Sequence, residues 1–180
     1  MNSSRRNRER LFGGVYPKIR LANPDDLALY FYAYRVQTGK DPGEKYRKFV
    51  TKELSCYDHI RVVEDINMAF GGGFAPVGLA KAMYNEWKLE PHADWFPWAT
   101  PRNKLRCSVA YLYKQRCSKD VGVTIVHAQK EAAHYFRHLK KYVPLYPVGK
   151  IPAGHPEGDD FVFYQRGKKR LEVISNDQRI

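Results

Sequence analysis

His92–Lys104, HADWFPWATPRNK, is the stretch on which the reading of this chain turns. Its aromatic half, around Trp95, Phe96 and Trp98, has the composition of a short strand. Thr100-Pro101 then opens a helix, a hydroxyl at the cap followed by proline at the first helical position. In a mixed α/β protein such a corner is where a phosphate-bearing cofactor would sit, because the first amides of a helix point outward without partners. Here no glycine stands at the junction. Arg102, Asn103, Lys104 and Arg106 occupy it instead. Whether the corner still holds a cofactor separates an enzyme from a fold that has lost its chemistry.

Working outward, each segment declares itself by periodicity. Residues 15–22 alternate as a first strand. Asn23-Pro24-Asp25-Asp26 starts a helix whose inward residues are Leu27, Tyr30, Phe31 and Tyr34, ending near Gly39. Asp41-Pro42 opens a second, with Tyr46, Phe49, Val50 and Leu54 inside. Residues 59–65 read as a strand, 70–73 (FGGG) as a hairpin turn, and 75–89 as a long strand. A further strand follows Pro91, interrupted by Pro97. The helix from Thr100 to about Cys117 turns Leu105, Val109, Leu112 and Tyr113 inward. Residues 121–128, VGVTIVHA, form a β-branched strand buried on both faces. A helix over 130–142 buries Ala132, Phe136, Leu139 and Val143, and strands at 145–151 and 161–166 close the chain across the loop PAGHPEGDD. The order β-α-α-β-β-β-α-β-α-β-β specifies an α+β fold around one sheet of mixed direction.

With 180 residues and 43% hydrophobic content, the chain can bury one core. The expected organisation is a flexible basic arm over 1–12, a single domain over 13–167 and a polar tail over 168–180. No apolar run approaches a membrane span and no signal-peptide stretch opens the chain, so neither export nor membrane insertion is expected. Cys56, Cys107 and Cys117 have no disulfide or zinc-knuckle spacing. The net charge of +12 favours phosphate or an acidic protein surface as partner. Arg5, Arg6, Arg8 and Arg10 of the arm, with Arg166, Lys168, Lys169 and Arg170 near the other end, are the residues expected to make such contacts. On DNA these would be sequence-independent. His134 and His138 have a metal-binding spacing, with His127 upstream, but lack a third ligand and sit among Arg137, Lys140 and Lys141. They read as solvent-facing and no metal is expected.

The order of elements, with WFPWATPRNKL (95–105), VGVTIV (121–126), EAAHYFRHLKKY (131–142) and VGKIPAGHPEGDDFVFYQ (148–165), resembles the GNAT superfamily of N-acetyltransferases over residues 15–166. More narrowly it resembles divergent GNAT-like proteins of tailed bacteriophages. The resemblance implies an acetyl-CoA pyrophosphate loop of the form Arg/Gln-x-x-Gly-x-Gly/Ala, whose counterpart, Pro101–Cys107, has no glycine. It makes Trp98, Thr100, Arg102, Asn103 and Lys104 the candidate cofactor residues. It also implies a tyrosine acid in a Phe-Tyr-like pair, where this chain has Tyr135-Phe136 in reverse order, leaving Tyr135 as the substitute acid. A mid-sheet glutamate base would be Glu64 or Glu86. The expectation from these departures is a virion component of the head–tail junction or capsid interior. It would have lost acetyl transfer, use no cofactor, bind neighbouring virion proteins or DNA, and reside in the virion or, before assembly, the host cytoplasm, oligomeric within the particle. The alternatives are an acetyl-CoA-dependent N-acetyltransferase working by direct attack of an amine, and a small non-specific DNA-binding module.

Overall fold

The computed structural model describes residues 3–55, 59–85, 88–128, 130–155 and 158–168. Its elements run α1 (Ser3–Phe12), β1 (Lys18–Leu21), α2 (Leu27–Thr38), α3 (Glu44–Ser55), β2 (His59–Ile66), β3 (Phe74–Asn85), β4 (Lys88–Trp95), α4 (Pro101–Cys117), β5 (Val123–Ala128), α5 (Lys130–Leu139), β6 (Tyr146–His155) and β7 (Gly158–Arg166). From β1 onward this is the expected succession. The strands form one sheet in the order β1-β2-β3-β4-β5-β7-β6. Among the described residues, only the β4–β5 pair in it is parallel. The hairpin turn at 70–73 is closed by Gly71 and Gly72, both at positive φ.

Three apolar clusters fasten helices to the sheet. Tyr30 and Ala33 of α2 and Val50 of α3 pack with Val62, Leu79 and Phe96. Cys107 and Tyr111 of α4 cover Val63, Val77, Ala80, Ala82 and Leu89. Val109 and Leu112 of α4 join Ala133 and Leu139 of α5 over Val126, Ala128 and Phe163. Phe49 and Tyr113, placed inward by spacing, are exposed instead. Nor is β5 buried on both faces: Thr124, Val126 and Ala128 are buried, while His127 lies open to solvent.

The flexible arm is corrected. Ser3–Phe12 is a helix whose last residue, Phe12, enters the α4–α5 core. The cause lies far along the chain. Buried Arg106 donates to the carbonyls of Leu11, Phe12 and Val15, satisfying acceptors that a helix end leaves open. Arg8 donates to the Tyr142 carbonyl and stacks on the ring of Tyr113. Arg5 pairs with Glu9 one turn on. Arg6 and Arg10 stay exposed, as do Arg166 and Lys168, while Lys169 and Arg170 lie outside the described residues.

The sheet's central hairpin also differs from expectation. Sequence placed residues 88–89 in the preceding strand and started the next after Pro91, reading proline as a breaker. The β3–β4 ladder instead runs unbroken from Asn85↔Lys88 to Gly78↔Trp95, with Pro91 opposite Ala82. Phe96 N–H donates to Val77 O at 3.0 Å, which fixes the parity. Even-numbered residues of β4 exchange bonds with β3; odd-numbered ones turn N–H and C=O to the other side. Pro91 therefore aims its missing donor away from β3 and costs that ladder nothing. Gly78 is required here, since a Cβ would lie 2.6 Å from Asp94 O and 2.8 Å from the Trp95 ring.

Candidate active site

Lys88↔Val123 and Leu89↔Thr124 are the pairs that join β4 to β5. Beyond them β4 continues to Trp95 and β5 to Ala128 with no pair between the two among the described residues. Pro91 has no N–H for the next bond, while on its other edge β5 stays paired with β7 as far as Ala128↔Phe161. The parting leaves the outward backbone groups of Pro91, Ala93 and Trp95 along one wall of a V-shaped opening. A cavity of about 80 Å³ lies within it. Its lining includes Pro91, His92, Ala93 and Trp95 from β4, Ser108 from α4 and Phe136 from α5.

Above the opening is the corner of residues 96–104. Thr100 Oγ1 accepts from Asn103 N at 3.1 Å, and Asn103 Oδ1 accepts from Thr100 N at 3.2 Å, a reciprocal capping box. Asn103 is buried, and its Nδ2 donates to Asp65 Oδ2 at 3.1 Å and Ile66 O at 2.8 Å. Its polar atoms are thus spent inside the fold, which removes it as a cofactor ligand. The Thr100 hydroxyl is spent likewise. Pro101 has no amide and Lys104 N bonds to Thr100 O, so the first turn offers an anion the Arg102 N–H and the side chains of Arg102 and Lys104. Arg102 lies exposed on a groove of about 500 Å³ that also touches Phe12, Val15, Met68 and Thr100. Lys104 is half-buried. Trp98 belongs elsewhere: Nε1 donates to Pro76 O, and its ring packs against Phe96, Tyr32 and Phe70.

Tyr135 crosses from α5 to α4. Its hydroxyl lies 2.8 Å from Ser108 Oγ and 3.0 Å from Lys104 O. Burial pushes its pKa up to about 12, against a lowering by Ser108. Ser108, not Tyr135, lines the cavity. Phe136 packs on Phe163 and closes the cavity's α5 side. Glu64 is committed to Arg20 at 2.8 Å, and Glu86 lies outside the described residues. Cys107 is buried, with burial pushing its thiol up, the opposite of an activated nucleophile.

The residues that sequence reasoning passed over are Ser108, His92 and a buried charge group below them. Lys81, 1% exposed, places Nζ 2.8 Å from Glu53 Oε1 and 2.7 Å from Asp94 Oδ2. Tyr30 OH donates to the same Asp94 oxygen at 2.6 Å. Burial pulls the Lys81 pKa down, but Asp94 and Glu53 outweigh it and the ammonium persists. A lysine inside a continuous apolar run, Val77 to Met83, was the available signal, since such a buried charge needs partners.

No family model and no curated protein sequence matches the chain. Solved structures do. A GNAT-family acetyltransferase from Bacillus anthracis superposes with a TM-score of 0.60 at 16% identity, covering 84% of this chain and 95% of that one. A chimera of the spermidine N-acetyltransferase SpeG from Vibrio cholerae with hSSAT gives 0.59 at 15%, covering 83% and 95%. The putative acetyltransferase yncA from Salmonella typhimurium, solved with its cofactor acetyl-CoA, gives 0.52 at 14%, covering 86% and 96%. These likenesses overturn the reading of a virion component without acetyl transfer: the chains of this shape are named as acetyltransferases, one with its cofactor bound. Among the described residues no helix is long and apolar enough to cross a membrane. The chain has the GNAT fold, an α+β architecture built on a seven-stranded mixed sheet.

Proposed function

We propose that the protein is an acetyl-CoA-dependent N-acetyltransferase whose cofactor grip relies on side chains at the corner where glycines are absent. The observation that carries this reading is the parting of β4 from β5 over a cavity walled by the outward backbone of Pro91–Trp95. An extended acyl-pantetheine arm carries amides that complement such an unpaired strand edge, as an added strand would. The Ala93 N–H and the carbonyls of Pro91 and Ala93 supply the bonds. Ser108 would then be the residue beside the thioester end, and Arg102 and Lys104 would hold the phosphates.

Acetyl-CoA supplies an activated acyl group with a thiolate as leaving group. The residues orient it and stabilise the charge that develops on sulfur. Magnitudes decide what Tyr135 does. Moving a proton from a phenol at about 12 to a thiolate of pKa about 8.5 costs about 5 kcal/mol. Tyr135 therefore stays protonated and orients Ser108, whose hydroxyl would donate a hydrogen bond to the leaving thiolate, with water as the source of its proton. Ser108→Ala is expected to slow transfer by roughly 10- to 100-fold, Tyr135→Phe by about 10-fold, each with unchanged acetyl-CoA affinity. Rates and titrations of the two variants check this.

The experiment for the reading itself is the substitution Ala93→Pro, with thiol release from acetyl-CoA followed in the presence of spermidine. Like Pro91, this proline sits where its nitrogen faces away from β3, so the fold should hold. It removes one donor from the opening and fills part of it. Acetyl-CoA affinity should fall by about 10-fold or more and turnover with it. An Ala93→Pro protein that binds and turns over as the wild type does would contradict the placement of the arm.

A further inference from the structure

We propose that the groove between α1 and α4 binds single-stranded nucleic acid, a function separate from acetyl transfer and independent of it. The groove, of about 530 Å³, is bounded by α1, by Tyr16, Pro17 and Ile19 at the entry to β1, and by Ala110, Tyr113 and Lys114 of α4. Among the described residues it has no lining member in common with the cavity between β4 and β5. It exists because α1 is folded and held, by Phe12 in the core and by Arg106 at the helix end.

Arg5, Arg8 and Lys114 bring positive charge to its walls, against the one carboxylate of Glu9. Glu9 is taken up by Arg5. Arg8 and Lys114 donate instead to the neutral carbonyls of Tyr142 and Ile19, and among the described residues neither has a carboxylate partner. Exposed Arg6 and Arg10 extend the charge along α1. Asn7 donates to the Lys141 carbonyl at 3.0 Å, which brings the exposed turn of Lys140 and Lys141 beside the helix. On a chain of net charge +12, such a surface steers a polyanion in and gains by releasing its counterions.

Charge alone would suit any polyanion, and the rings narrow the choice. Tyr16 and Tyr113 line the same groove and are 56% and 40% exposed. The Tyr16 ring leans on Phe12 at 4.6 Å between centroids, and the Arg8 guanidinium lies 4.2 Å from the Tyr113 centroid. Both rings are therefore held in place before a ligand arrives, so little side-chain freedom is lost on binding. Aromatic rings stack on bases that are unpaired and turned outward, while cations beside them follow the phosphates. A single strand offers both groups at once. A duplex hides its bases, and an acidic peptide has none.

The test is fluorescence anisotropy of the intact protein with a labelled oligothymidylate of about 12 nucleotides. Wild type should bind it with micromolar affinity at about 50 mM salt, and log affinity should fall against log salt with a slope of about −2, as expected for three cations on a single strand. Tyr16→Ala with Tyr113→Ala should weaken binding by about 10-fold or more at an unchanged slope. Arg5→Gln with Lys114→Gln should flatten the slope by about 1. Should the tyrosine pair unfold at lower urea than wild type, Tyr16→Ala alone, at the more exposed ring, replaces it. The Arg102/Lys104 double variant should bind the strand as wild type does. Loss of binding there would place the strand at the start of α4 and overturn the proposal. So would tyrosine variants that bind as tightly as wild type, a matching duplex or polyglutamate bound as tightly as the strand, or no binding by wild type at that salt.

Discussion

Asp65→Ala is expected to lower the unfolding free energy by about 3–5 kcal/mol, measured by urea denaturation with an unchanged m-value. Asp65 is fully buried at the end of β2 and accepts from Arg106 Nε at 2.8 Å, from Arg106 Nη2 at 3.1 Å and from Asn103 Nδ2 at 3.1 Å. Removing the carboxylate strands a buried guanidinium and frees a buried amide donor together. The same guanidinium holds the carbonyls of Leu11, Phe12 and Val15, so the loss reaches α1. Arg106→Met should cost a similar amount by a different route, leaving those carbonyls and Asp65 without their donor. Because the two share one network, the double variant should cost less than the sum of the singles, with a coupling of about 1–3 kcal/mol. Additive losses, or a loss below about 1 kcal/mol, would mean that this pair does not fasten the start of α4.

Arg102→Ala combined with Lys104→Ala is expected to weaken acetyl-CoA binding by about 100-fold while leaving stability within about 0.5 kcal/mol. The capping box consumes the polar groups of Thr100 and Asn103, and Pro101 contributes no amide. On the proposed acetyl-CoA reading, phosphate binding at this corner would fall to the two cations and the Arg102 N–H. A charge-assisted hydrogen bond contributes about 1.5–3 kcal/mol, so removing both cations accounts for at least that factor. Wild-type affinity should fall as salt rises, and the double variant should show a shallower dependence. Equal salt slopes would place the phosphates elsewhere.

Much of the fold was legible because the helices and strands differ in hydrophobic period and because caps such as Asn23-Pro24 and Thr100-Pro101 mark their starts. Illegible features depended on partners distant in sequence. Four arginines in the first ten residues read as a free arm, yet Phe12 has a core site and Arg106, 94 residues on, caps the helix end. Pro91 read as a boundary because its composition suggests a breaker; only the register to β3 shows that its nitrogen faces away from that ladder. The site was half legible. Tyr135 was picked out, but its contact with Ser108 needs the packing of α5 on α4. The spacing of Thr100 and Asn103 was itself a capping signal, and reading Asn103 as a cofactor residue missed that its side chain faces inward. Absent glycines at 101–107 suggested lost chemistry, whereas the structure shows a corner whose polar groups serve the helix cap and on which the Arg102 side chain stays exposed.

Isothermal titration of the intact protein with acetyl-CoA tests the central claim most directly. The account predicts one saturable site per chain with micromolar affinity, weaker for Ala93→Pro and weaker still for the Arg102/Lys104 double variant. No heat or saturation with millimolar acetyl-CoA, from protein that unfolds cooperatively, would contradict it.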